Sequence, residues 1–76
     1  MVLDLVVEKS VDGYSADVPS LSGCEAWAHT EDEVLDKITE MVMYFLNIKQ
    51  RKQIKLDLAR KEDNNIIYKI IIPNKY

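Results

Sequence analysis

The chain has 76 residues, 47% apolar and 30% charged, with a formal net charge of −3; that is one domain with no general attraction to a nucleic-acid backbone. One cysteine, Cys24, and one histidine, His29, exclude an intrachain disulfide and leave too few soft ligands for a structural zinc. No apolar run approaches the roughly 20 residues of a membrane span. The opening MVLDLVVEKS sets Asp4 inside its apolar run without a basic leader, so a cytoplasmic protein is predicted.

In chain order, Leu3, Leu5 and Val7 alternate with Val2, Asp4, Val6 and Glu8, which predicts a strand with one apolar face and one mixed face. Asp12-Gly13 predicts a two-residue hairpin turn with positive φ at both positions. A second strand then carries Tyr14, Ala16 and Val18 on one side and Ser15 and Asp17 on the other, until Pro19 stops it. After the connection Pro19-Ser20-Leu21-Ser22-Gly23, a third alternating run covers 24–29. Its small residues Cys24, Ala26 and Ala28 are set to face a helix, with Glu25, Trp27 and His29 on the opposite side.

Thr30-Glu31-Asp32-Glu33 has the form of a capping box, and its three acidic residues suit the positive end of a helix dipole. Val34, Leu35, Ile38, Met41, Val42, Phe45 and Leu46 follow at spacings of three and four, one apolar stripe of an amphipathic helix. Lys49, Arg51 and Lys52 are expected near the helix's negative end. Residues 50–53 could prolong the helix. Ile54, Leu56 and Leu58 alternate with Lys55, Asp57 and Ala59, and 66–72 is rich in β-branched residues, so a C-terminal hairpin over 54–73 is preferred. The fold class is therefore α+β: a small antiparallel sheet, in the order β-β-β-α-β or β-β-β-α-β-β, with one helix packed on it.

Taken as a unit, Gly13-Tyr14, Ala16, Val18-Pro19, Leu21, Gly23-Cys24, Thr30 and Glu33, with the apolar helix positions, resemble the core of the HicB-type antitoxin family over roughly residues 3–47. The resemblance implies a partial ribonuclease-H-like fold in a single domain, 1–76. It also implies a non-enzymatic module that binds and neutralises a small basic ribonuclease toxin of the HicA type. Many members add a C-terminal DNA-binding domain. Only about two dozen residues follow the helix here, with no second helix pair, so operator binding is not carried over.

No catalytic, metal or cofactor set is expected. Cys24 has no flanking base or cation to lower its pKa and reads as a small core residue, and His29 has no evident partner. Asp4, Glu8 and Asp17 invite comparison with the metal-holding carboxylates of a ribonuclease-H site, but a solvated outer face is the favoured reading. For partner binding, Asp17, Glu25 and Trp27 are the candidates, since exposed large aromatics often anchor interfaces. For a homodimer or higher homo-oligomer the candidates are Ile66, Tyr68, Ile70 and Ile72, because a strand apolar on both sides wants cover on both. The alternative function is that of an orphan homo-oligomeric domain, structural or RNA-binding, without a toxin; the basic cluster Lys49, Arg51, Lys52 and Lys55 lacks the interleaved aromatics that single-stranded RNA favours.

Overall fold

A computed structural model describes residues 1–73. It contains strands β1 (Val2–Lys9), β2 (Tyr14–Asp17) and β3 (Glu25–Ala28), helix α1 (Glu31–Leu46), a 3-10 turn (Arg51–Gln53), and strands β4 (Lys55–Glu62) and β5 (Asn65–Ile71). All five strands join one antiparallel sheet in the order β3-β2-β1-β5-β4. The longer of the two predicted topologies is the one formed, and the preferred C-terminal hairpin is present.

Local chemistry explains the helix. Thr30 is its N-cap: its Oγ1 accepts from the Glu33 backbone N–H at 3.2 Å and donates to Glu33 Oε1 at 3.0 Å. Val34, Ile38 and Val42 form the fully buried line of the stripe. Thr39 is also buried, its hydroxyl donating 2.6 Å to the Leu35 carbonyl. The helix stops at Asn47, which takes the left-handed conformation (φ 56°) and donates its backbone N–H to the Met43 and Tyr44 carbonyls.

The basic residues expected at the helix end lie beyond it, and the last turn holds none. Lys49 instead reaches the Asn47 side chain at 2.9 Å, and Arg51 pairs with Asp36 at 2.7 Å, tying the following segment back onto the helix surface.

The first hairpin also differs from expectation. Lys9 pairs with Tyr14, so Ser10–Gly13 forms a four-residue connection, and neither Asp12 nor Gly13 has positive φ. Ser10 closes the loop with two bonds to the Gly13 carbonyl, from its N–H (2.8 Å) and its hydroxyl (3.1 Å). Gly13 is needed for space: a Cβ there would lie 2.4 Å from the Ala28 carbonyl oxygen and 2.8 Å from Trp27 Cζ2. Positive φ occurs instead at Gly23 (86°), in the β2–β3 connection, and at Asp63 (49°), in the β4–β5 turn.

The core lies between the helix and one face of the sheet. Leu5, Val7, Val18, Cys24, Val34, Ile38, Val42, Ile70 and Ile72 are essentially inaccessible to solvent. Helix α1 lies closest to β2 and β3, where the small side chains of Ala16, Ala26 and Ala28 allow that approach. Strand β5 is interior, between β1 and β4, which explains its β-branched run: it is flanked on both edges and packs into the core on one face.

One tertiary bond fastens β5 to the helix start. The Tyr68 hydroxyl donates to Glu31 Oε2. Burial, that bond and the charges of Glu31 and Asp32 push the Tyr68 phenol from 10.0 up to about 12. The raised value favours the protonated phenol in the folded state, so this stabilisation is complete below pH 10 and is lost as pH rises from 10 towards about 12. Tyr68→Phe should cost about 1–2 kcal/mol at neutral pH. It should also flatten this part of the alkaline loss of stability, as read from urea midpoints at neutral pH and at about pH 11.

Candidate functional site

Among the described residues no element covers the sheet face opposite the helix. Alternation places Glu8, Ser15, Asp17, Glu25 and Trp27 on it at the β1-β2-β3 end, where the register pairs Asp17 with Glu25 and Ser15 with Trp27. The predicted partner-binding residues Asp17, Glu25 and Trp27 are thus brought together around a shallow depression of about 520 Å³, lined also by Ser15, Ala16 and Ala26. Trp27 is 42% exposed, and its ring meets His29 edge-on with centroids 4.7 Å apart. None of Glu8, Asp17 and Glu25 has an ion pair among the described residues. The result is an acidic surface with an aromatic at its β3 edge.

A second groove of about 630 Å³ runs between the β3 edge and α1, with Met41, Tyr44 and Phe45 on the helix side. Tyr44 is 86% exposed and stands edge-on to Phe45. Phe45, part of the helix's apolar stripe, is 43% exposed and lines this groove beside Ala26 and Trp27 of β3. Lys37 spans this groove and donates 3.1 Å to the Trp27 carbonyl, which occupies part of the β3 edge.

The other carboxylates are placed differently. Asp4 pairs across the strands with Lys69 on the uncovered face. Among the described residues no three His, Cys, Asp or Glu side chains are grouped so as to hold a metal ion. Cys24 is buried, and burial followed by the nearby Asp17 charge raises its thiol pKa, which keeps it protonated and unreactive at neutral pH.

The predicted dimer residues do not form a surface. Ile66, Ile70 and Ile72 are buried in the protomer's own core, and the Tyr68 hydroxyl is engaged by Glu31. The apolar cover they require comes from the helix side of the same chain. The exposed edge of the predicted C-terminal hairpin is the outer edge of β4, which carries charges of both signs. No helix among the described residues is long and apolar enough to cross a membrane.

This architecture defines a small α+β domain with a solvent-facing acidic and aromatic sheet surface. The chain is similar to a UPF0150 protein of Archaeoglobus fulgidus, 37% identical over 51 residues that span 66% of this chain and 74% of the relative. It belongs to the UPF0150 family. No family model and no solved structure matches it.

Proposed function

We propose that this chain is a non-enzymatic protein-binding module of the HicB antitoxin type, whose acidic sheet face binds and masks a small basic ribonuclease. The observation that carries this reading is the placement of Asp17 and Glu25, without cationic partners among the described residues, beside the exposed Trp27, with Glu8 two strands away on the same sheet face. Unpaired carboxylates steer a basic partner and set its orientation, while a half-exposed indole supplies an anchor. The HicB-like order of turn, strand, Gly-Cys loop and Thr-capped helix supports the same class of partner.

The test is capture of the tagged protein's partner from its own cell lysate, followed by binding and ribonuclease assays. The expected result is a stoichiometric small basic protein whose ribonuclease activity this chain inhibits. Trp27→Ala should then weaken binding by about 2 kcal/mol, roughly thirtyfold. Asp17→Lys with Glu25→Lys should weaken it further and reduce its dependence on salt. A homo-oligomer with nothing attached would sink the antitoxin reading and leave the orphan domain. A metal-dependent cleavage lost on Asp4→Asn with Asp17→Asn would overturn the non-enzymatic assignment.

A further inference from the structure

We propose that β4 is the surface on which a second copy of this chain docks, so that two sheets join edge to edge into one of ten strands, five from each copy. This inference does not rest on the antitoxin reading. Strands β3 and β4 are the two edges of the sheet. The β3 edge is four residues long and partly occupied by Lys37. The β4 edge is eight residues long, runs along nearly all of β5, and among the described residues has no strand beyond it.

The charges of β4 determine how two such edges fit. Lys55, Asp57, Arg60 and Glu62 pair with Ile71, Lys69, Ile67 and Asn65 of β5, which alternate along that strand and so share the uncovered face. In a regular strand Lys55 and Glu62 would point to opposite faces. The irregularity between Leu58 and Arg60 inserts one residue and brings both halves of β4 to the same face.

Antiparallel docking about a two-fold axis between Leu58 and Ala59 then sets Lys55 opposite Glu62 of the partner subunit and Asp57 opposite Arg60 of the partner subunit. Symmetry repeats both pairs, giving four opposite-charge contacts on one face. Sliding by two residues in one direction would oppose Lys55 to the partner's Arg60; in the other it would oppose Asp57 to the partner's Glu62. Charge therefore selects the register that uses the whole strand. The same register brings Leu58, 54% exposed in the single chain, to the axis beside its symmetry mate.

Among the described residues these charges pair only along their own strand, Arg60 with Glu62 at 2.8 Å and Lys55 with Asp57 at 4.0 Å, all of them solvent-exposed. Charges and a bulge on an edge strand usually prevent pairing. Here they are self-complementary.

The test is sedimentation of the full chain and of two single variants, Asp57→Arg and Arg60→Asp, with far-UV circular dichroism to confirm folding. The wild type is expected to be a dimer and each variant a monomer, because each sets like charges against each other across the axis. Mixed in equal amounts, the two variants should form a heterodimer. The two substituted positions then face each other with opposite charges, and the native Arg60 of one copy still faces the native Asp57 of the other. A monomeric wild type at high protein concentration would overturn the proposal. So would variants that remain dimeric alone, or that fail to associate when mixed. If either variant does not fold, Lys55→Glu and Glu62→Lys apply the same crossed test to the outer pair.

Discussion

Gly13→Ala should destabilise the domain by about 2–3 kcal/mol, the cost of forcing a methyl into a filled space, and should change the environment of Trp27. The added Cβ would meet the Ala28 carbonyl at 2.4 Å and Trp27 Cζ2 at 2.8 Å. The first neighbour is backbone and cannot rotate away, so β3 must move. Because Trp27 is the single tryptophan, its fluorescence reports that movement directly. The expected result is a lower melting temperature together with a shifted emission maximum. An unchanged spectrum and unchanged stability would show that the first connection does not press against β3. The variant links fold to function, since Trp27 belongs to the candidate binding face.

Ile38→Ala is expected to have the largest effect on stability. Ile38 is fully buried at the middle of the helix stripe and belongs to the same core as Leu5, Val34, Val42 and Ile70. Removing a buried isoleucine costs about 2–5 kcal/mol through lost transfer energy and the cavity left behind. In a domain of this size about 3 kcal/mol lowers the melting temperature by roughly 15 °C, a large part of the marginal stability a small chain possesses. Thermal unfolding followed by circular dichroism checks it. Phe45→Ala, at the exposed end of the stripe, should cost clearly less, because Phe45 remains 43% exposed in the fold.

What the sequence determined by itself is the structure governed by neighbours in the chain. Thr30 and Glu33 are three residues apart, so the cap forms from local bonds and was legible. The alternation of Leu3, Leu5 and Val7, and the spacing of Val34, Ile38 and Val42, assigned the buried faces, because side-chain period follows from backbone geometry alone. The opposite orientation of Trp27 and the Ala26–Ala28 pair followed from the same rule.

Which strand lies beside which is a property of the whole fold. The apolar run of β5 signalled a need for cover, but no local rule says whether a partner chain or the protomer's own sheet supplies it. Inserting β5 between β1 and β4 buried Ile66, Ile70 and Ile72 internally and moved the open edge to β4. Asp4 with Lys69 and Glu31 with Tyr68 are likewise pairs that strand order creates between residues far apart in sequence. The same holds for the acidic face. The carboxylates Glu8, Asp17 and Glu25 lie on three strands, and they share one face with Trp27 because hydrogen-bond register, a long-range property, aligns β1, β2 and β3.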